Sequence, residues 1–238
     1  MIHFISYGNK NFNNSKKRIF KEAIQSGWFN SVTMYNPKIL DKDFVKKFKN
    51  ILDCNRGGGF WLWKPYIILQ KLNELKENDI LIYLDAGCTI NINGKKRFNE
   101  YIDVLMQNKK SIISFQLPYI EDDWTIDQIF NYFNINEENI IRKTGQILSG
   151  IIIIKKNEES LNLIKKWYNT IIDNPLLFTD YYNKFQKKNN FKANRHDQSI
   201  FSVLCKLNNV QIIKDETYFN FGDQKSSKYP FWATRYKI

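Results

Sequence analysis

The sequence predicts an α/β domain in which helices flank a central, mostly parallel sheet. Short apolar strands alternate with amphipathic helices in the first half of the chain, as in βαβ units. The 238 residues suit a single domain with a conventional core, and no linker or internal repeat divides them. Hydrophobic residues make up 43% of the chain and charged residues 25%, which is typical of a globular protein.

Six apolar runs predict the strands, since each run is short and is bounded by polar or turn-forming residues. Asn36 and Pro37 end the second run, and the third run ends in Asp85. The fifth run passes through Ser149 and Gly150 and is interpreted as one strand. The strands are predicted at residues 2–7, 31–35, 79–84, 111–116, 147–155 and 210–213.

The helices are predicted from apolar residues that recur every three or four positions. Ser15 is a good N-cap for the first helix, and Trp167 belongs to the apolar stripe of a later one. Residues 8–14 and 55–65 are predicted as loops. The helices are predicted at residues 15–26, 40–52, 66–76, 97–109, 127–133, 158–173, 179–186 and 197–207.

The chain carries 36 basic and 24 acidic residues, a net charge of +12, which admits nucleic acid, an anionic membrane face or a phosphorylated ligand as a partner. No arginine-rich arm, RNP-type strand or zinc finger is present, so the charge mainly indicates compositional bias on a solvated surface. Three cysteines without a CxxC spacing exclude a disulfide scaffold. No apolar run reaches about 18 residues and no signal peptide precedes the first strand, so we expect a cytoplasmic protein.

Polar residues follow the first and third predicted strands, where parallel sheets bind their ligands. Ser6–Gly8 lie at the end of one strand, and Asp85–Gly87 follow the other. A carboxylate at the end of a buried strand suits a hard divalent cation, and small residues beside it let a ligand approach the backbone. The alternative is an aspartate that only caps the next turn.

The segment 55–65 combines three consecutive glycines with Trp61 and Trp63. The glycine backbone can wrap a ligand, and Arg56 and Lys64 supply cations for a diphosphate. Its spacing matches neither a Walker loop nor a dinucleotide fingerprint. The alternative is a hydrophobic loop that packs on the sheet.

Three further segments carry candidate chemistry. In Asn194–Ser199, Asp197 is either an ordinary N-cap or a general base, and the adjacent histidine is a candidate ligand for a metal or phosphate. Gln146–Gly150 place a polar break in an apolar run, which suggests a turn that faces a ligand. The acidic cluster 121–127 could bind sugar hydroxyls, with Trp124 stacked on the ring, or form a solvated loop. The tail, residues 229–236, is expected to pack on the core, with a fold over the donor or a membrane or partner contact as alternatives.

Taken in order, Gly57–Tyr66, Leu84–Gly87, Gln146–Gly150 and His196–Ser199 resemble GT-A-type nucleotide-sugar glycosyltransferases, especially small enzymes of large DNA viruses and of bacterial surface-polysaccharide clusters. The resemblance covers about residues 2–215. It implies a GT-A-like, Rossmann-type sheet, with a nucleotide-sugar-binding half over about residues 1–95 and an acceptor-binding half over about residues 96–238.

The resemblance also implies an activity. A sugar would move from a UDP- or GDP-linked donor, UDP being favoured, to a hydroxyl of a glycan or glycoconjugate. Mn²⁺ or Mg²⁺ at Asp85 would bridge the diphosphate, no nucleic acid is expected as a partner, and peripheral membrane contact stays open. Asp197 is the first candidate for the base of an inverting transfer.

One departure from the family pattern concerns the metal. Many such enzymes carry Asp-x-Asp, whereas this chain has Asp85-Ala86-Gly87. A cation would then need phosphate oxygens and water, with help from Asp197 or His196. If the metal is dispensable, Lys64 or Arg56 would stabilise the leaving group.

The expected site divides into two groups besides Asp197. A non-catalytic nucleotide-sugar or nucleic-acid binder that retains the fold is the alternative function. The donor-binding residues are expected to be Ser6, Tyr7, Gly8, Arg56, Trp63, Lys64, Asp85, Ala86 and Gly87. The sugar- and acceptor-binding residues are expected to be Glu121, Trp124, Asp127, Gln146, Ser149, Gly150 and His196.

Overall fold

The computed structural model describes residues 1–107 and 110–237. The strands are β1 (Ile2–Tyr7), β2 (Ser31–Tyr35), β3 (Ile80–Leu84), β4 (Thr89–Ile90), β5 (Ile112–Ile120), β6 (Gly145–Ile147), β7 (Ile151–Lys155), β8 (Gln211–Lys214) and β9 (Phe231–Trp232). The helices are α1 (Asn13–Ser26), α2 (Lys42–Lys47), α3 (Lys49–Leu52), α4 (Gly57–Phe60), α5 (Trp63–Glu74), α6 (Lys95–Gln107), α7 (Glu121–Trp124), α8 (Asp127–Tyr132), α9 (Glu158–Asp173), α10 (Asp197–Leu207) and α11 (Gln224–Ser227). The last two residues of the helix predicted at 97–109 lie outside the described residues.

The central sheet is mixed and mostly parallel, as the sequence predicts. β1 pairs in parallel with β2 and β3, and β5 pairs in parallel with β8. β7 runs antiparallel to both β3 and β5, and β6 runs antiparallel to β5. Among the described strands of this sheet, β1, β2, β3, β5 and β8 therefore share one direction. β4 and β9 form a separate two-stranded sheet.

Helices cover both faces of the sheet, and each face has its own core. The alternation along β3 separates the two, because Leu81 and Tyr83 belong to one cluster and Ile82 to the other. Buried Trp167 of α9 lies in the first cluster, and buried Phe98 of α6 lies in the second. No helix in the described part of the chain has the length and apolar character needed to cross a membrane.

The prediction of one strand over residues 147–155 is wrong, because the chain bulges between β6 and β7. Both strands pair with the same edge of β5, but three steps along β5, from Ile113 to Gln116, face six steps from Ile153 back to Ile147. The three extra residues on the facing chain, 148–150, form the bulge. An apolar pattern does not record such a bulge.

Several other boundaries differ from prediction, and two of the differences lie near the site described below. Helix α5 begins at Trp63 instead of residue 66, so it takes up the end of the predicted loop. In place of a helix over 179–186, only a 3₁₀ turn forms at Asn183–Phe185. The carbonyls of Leu177 and Thr179 accept hydrogen bonds from the Asn194 side chain, which replaces a helical ladder there.

Glu121 is part of a buried network and does not face open space, which corrects its expected role in sugar binding. Its side chain is fully buried and accepts hydrogen bonds from Thr125, Gln146, Ser202 and Lys206. The ion pair with Lys206 ties the start of α7 to α10. These four donors occupy the carboxylate, so Glu121 stabilises the fold.

Replacing Glu121 with alanine should lower the free energy of unfolding by about 3–5 kcal/mol, because the buried Lys206 ammonium loses its counter-charge. Urea denaturation measures the change. Glu137→Ala, at an exposed position, is the control and should change stability by less than about 0.5 kcal/mol. Equal stability of the two variants would contradict the assignment of Glu121 to the core.

Candidate active site

A cavity of about 630 Å³ opens at the carboxyl ends of β1 and β3. Its walls come from the glycine-tryptophan segment, the 148–150 bulge, the start of α10 and the C-terminal tail, so both expected halves of the chain contribute. Most of the predicted site residues lie together in its lining. These are Tyr7, Gly8, Arg56, Trp63, Lys64, Asp85, Ala86, Gly87, Trp124, Ser149, Gly150, His196 and Asp197.

Three predicted residues besides Glu121 lie outside the lining. Ser6 is fully buried in β1 on the face opposite to Tyr7, because successive side chains of a strand alternate. Asp127 lies 2.7 Å from the Arg142 guanidinium, in a surface ion-pair cluster. Gln146 is buried and bonded to its protein neighbours, Gln198 among them. None of the three presents a free polar group to this cavity.

The floor of the cavity is an ion-pair bridge centred on Lys64. The Lys64 ammonium lies 2.6 Å from Asp197 Oδ2 and 3.2 Å from Asp85 Oδ1. Its side chain is only 1% exposed, and it also contacts both oxygens of Ser149 at 3.4 Å. Its donors are therefore shared among protein oxygens.

The opposite charges in this bridge stabilise one another. Burial lowers the pKa of Lys64, but Asp197 and Asp85 outweigh it, so the net pKa is raised and the ammonium stays charged. Burial raises the pKa of Asp197, although Lys64 acts in the opposite direction. Asp85 is the more open carboxylate, with 35% of its side chain exposed, and it accepts a hydrogen bond from the Tyr83 hydroxyl.

The glycine-tryptophan segment places Lys64 in the cavity. Gly59 has φ +95°, and a Cβ there would lie 2.6 Å from Leu52 Cα, so the turn requires glycine. Trp63 stacks on Tyr7 with 3.7 Å between ring centroids. Pro65 follows in the first turn of α5, where its missing N–H breaks no helical hydrogen bond. The tight turn and the stacked ring hold the start of α5 against the sheet.

The C-terminal tail explains the sequence Asp85-Ala86-Gly87. The Gly87 carbonyl accepts hydrogen bonds from Thr234 Oγ1 at 2.8 Å and from the Tyr236 N–H at 2.9 Å. A Cβ on Gly87 would lie 3.2 Å from Arg235 Cα, which is tighter than ordinary van der Waals contact. The tail backbone thus takes the space that a second carboxylate of an Asp-x-Asp motif would need. The tail both packs on the core, through buried Phe231, and contributes to the cavity.

Two arginines of the lining were not assigned from the sequence. The Arg195 guanidinium lies 3.8 Å from the ring centroid of Trp124, and that of Arg235 lies 5.2 Å from that of Tyr218. Among the described residues, neither arginine forms an ion pair with a carboxylate, whereas Arg56 pairs with Asp180 at 2.9 Å. Arg195 lies in a segment already singled out, but no pattern brings the tail beside it.

His196 is buried and neutral. Its Nε2 lies 3.0 Å from Asp180 Oδ1, and its ring packs beside Phe60 and Trp61. Burial lowers its pKa to about 4, although Asp180 opposes the shift. A neutral imidazole directed at Asp180 does not supply a cation for a phosphate.

The donor groups on the floor do not fit a divalent cation well. Within residues 1–107 and 110–237, no three His, Cys, Asp or Glu side chains cluster as metal ligands. Lys64 lies between Asp85 and Asp197, and His196 faces away toward Asp180. Mn²⁺ or Mg²⁺ at Asp85 therefore stays a prediction that rests on one open carboxylate.

The pKa of His196 predicts a pH dependence of stability. The unfolded chain binds a proton near pH 6.5 and the folded chain only near pH 4, so unfolding becomes easier as the pH falls through this window. The loss attributable to this residue is about 3 kcal/mol. Urea denaturation at several pH values from 7 to 4 measures how the free energy of unfolding depends on pH. This dependence should be weaker for His196→Gln than for the wild type, and an identical dependence would contradict the assignment.

Comparisons with known proteins find similarity in structure but not in sequence. No family model matches the chain, and no curated protein matches its sequence. A glycosyltransferase involved in the glycosylation of the major capsid of PBCV-1 aligns with a TM-score of 0.51 at 11% identity, over 97% of this chain and 91% of that one.

Two other structures align less well. Mouse xyloside xylosyltransferase 1 gives a TM-score of 0.47 at 10% identity, over 92% of this chain and 87% of its own. The galactosyltransferase LgtC, in complex with donor and acceptor sugar analogues, gives 0.43 at 12% identity, over 91% and 75%. The first alignment spans nearly the whole of both chains, and it confirms that this chain has the GT-A-like fold that its motifs predict.

Proposed function

We propose that the protein is a glycosyltransferase that moves a sugar from a nucleoside-diphosphate sugar to a hydroxyl of a glycan or glycoconjugate. The observation that carries the proposal is the bridge Asp85–Lys64–Asp197 on the floor of a cavity at the carboxyl ends of β1 and β3. Sheets of this kind bind their ligands at that edge. The likeness in fold to the PBCV-1 glycosyltransferase supports the same reaction class.

The donor is proposed to bind beside β1 and β3. Tyr7 and Gly8 line the cavity at the end of β1, where the nucleotide base would lie. Ala86 has a small side chain and lines the cavity beside Asp85, so the diphosphate can approach the backbone that follows β3, whereas the Cα of Gly87 faces the tail. A UDP-linked donor is the first candidate and a GDP-linked donor the second.

The acceptor is proposed to enter from the opposite side, over Trp124 and the start of α10. Trp124 lines the cavity, and because the Arg195 guanidinium lies over one face of its ring, a sugar would stack on the other face. Asp197 lies on the floor of the cavity, and Ser149 Oγ donates a hydrogen bond to its Oδ2 at 2.7 Å. This hydrogen bond and the Lys64 contact fix the direction of the carboxylate.

Asp197 is the proposed general base of an inverting transfer. Its carboxylate takes the proton of the acceptor hydroxyl, whose oxygen bonds to the anomeric carbon of the donor. The bond from that carbon to the phosphate oxygen breaks, and the nucleoside diphosphate leaves with the electron pair. Burial, which raises the pKa of Asp197, makes this carboxylate a stronger base than an exposed one.

Asp197→Asn should lower kcat for sugar transfer by about 10²- to 10⁴-fold, because the base is lost, while the Kd of the donor changes little. Release of nucleoside diphosphate from a panel of nucleotide sugars measures turnover, and calorimetry measures donor binding. Asp43→Asn, at an exposed position on α2, should match the wild type in both.

Three outcomes would contradict parts of the proposal. Undiminished turnover of Asp197→Asn would remove the assignment of the base, and a product that retains the donor's anomeric configuration by NMR would remove inversion. A protein that binds oligonucleotides in a salt-sensitive manner and binds no nucleoside diphosphate would instead be the alternative, a nucleic-acid binder that retains the fold.

A further inference from the structure

We propose that Arg195 and Arg235 bind the diphosphate of the donor directly, so that donor binding does not require a divalent cation. The inference rests on the proposed function and specifies how the same cavity holds its donor. It departs from the expectation of Mn²⁺ or Mg²⁺ at Asp85. Three features of the structure carry it: the bridge on the floor, the path of the tail and the two arginines themselves.

The bridge already holds a cation where two carboxylates converge. The Lys64 ammonium, 1% exposed, lies 2.6 Å from Asp197 and 3.2 Å from Asp85. A divalent ion shared by these carboxylates would have to displace the buried Lys64 ammonium. The displaced ammonium would lose its carboxylate partners, which is unfavourable for a buried charge. The bridge contains two negative charges and one positive charge, so it does not by itself attract a diphosphate.

The path of the tail leaves no room for a carboxylate at position 87, and it places the cation of Arg235 in the cavity lining. Gly87 lies against the backbone of Arg235, and a Cβ at this position would lie 3.2 Å from Arg235 Cα. Arg235 has φ +55°, an uncommon conformation for a residue other than glycine. The two neighbours of Arg235 in sequence, Thr234 and Tyr236, both donate hydrogen bonds to the Gly87 carbonyl, and these bonds hold Arg235 in this position. The chain that blocks position 87 therefore places an arginine in the cavity lining.

The two arginines form a cationic pair without an anionic partner among the described residues. Burial lowers the pKa of Arg195, and the nearby charges of Arg235 and Arg56 lower it further. Arg195 is half-buried and Arg235 is exposed. Like charges held near one another repel, and an anion between them would relieve that repulsion. Contacts with the rings of Trp124 and Tyr218, whose centroids lie 3.8 Å and 5.2 Å away, limit the positions of the two guanidinium groups before a ligand arrives.

Guanidinium groups suit this task because each can donate two parallel hydrogen bonds to phosphate oxygens. Two arginines carry the same total charge as one divalent cation. When the bond between the sugar and the diphosphate breaks, the electron pair moves onto the leaving oxygen. The arginines then stabilise the charge that develops there.

Calorimetric titration with UDP and with GDP tests the inference, each in EDTA and again with Mn²⁺. We expect one of the two nucleotides to bind in EDTA, with less than about a threefold change in Kd on adding Mn²⁺. Arg195→Ala and Arg235→Ala should each weaken binding by about 10- to 100-fold in EDTA, the equivalent of one lost charge-assisted contact. Lys165→Ala, an exposed charge on α9, is the matched control and should bind as the wild type does.

Arg195→Lys keeps the charge without the planar fork, and it should recover part of the affinity. Thermal unfolding shows whether each variant folds. Binding that requires Mn²⁺, or arginine variants that bind like the wild type, would overturn the inference while leaving the proposed function intact. The absence of UDP and GDP binding in both conditions would overturn the inference and would also contradict the proposed donor.

Discussion

The structure depends on one buried ammonium. Lys64 lies between Asp85 and Asp197, and without it two carboxylates would face each other in a largely desolvated floor. The ammonium stabilises such a pair of charges, since an unpaired buried charge costs several kcal/mol. The lysine belongs to the first turn of α5, Asp85 follows β3, and Asp197 begins α10. One ion-pair bridge therefore joins three elements that are distant in sequence.

The surrounding structure serves this geometry. The bulge at 148–150 brings Ser149 to the floor, where its oxygens meet both Lys64 and Asp197. The Gly150 carbonyl accepts a hydrogen bond from the Asp85 N–H at 2.9 Å, which fixes the end of β3. Above the floor, the wall formed by the tail and Arg195 is positive. The carboxylates of Asp85 and Asp197 thus lie on the floor of the cavity, and Arg195 and Arg235 lie in its wall.

Much of this arrangement could be predicted from the sequence. Alternating strands and helices indicate the sheet, and the rule that ligands meet the carboxyl ends of parallel strands brings Tyr7 and Asp85 into one site. The unusual segments 57–66 and 196–199 mark the other walls. The structure places these residues in one cavity lining, because the alternation of strands and helices that brings them together is visible in the local sequence.

The remainder depends on long-range packing. Glu121 is in an acidic cluster but turns inward to Lys206, and no local pattern distinguishes it from a surface acid. Ser6 and Tyr7 are adjacent, yet strand alternation sends them to opposite faces. The pairing of Lys64 with two acids and the approach of Arg235 to Gly87 join residues separated by more than a hundred positions or by whole elements.

A crystal structure of the protein with its tightest-binding nucleoside diphosphate tests the central claim most directly. The account predicts that the diphosphate lies beside Asp85–Gly87, between the guanidinium groups of Arg195 and Arg235, with its outer phosphate directed toward the Lys64 bridge and Asp197. A nucleotide bound outside this cavity, or one whose diphosphate contacts neither arginine nor the segment after β3, would contradict the account.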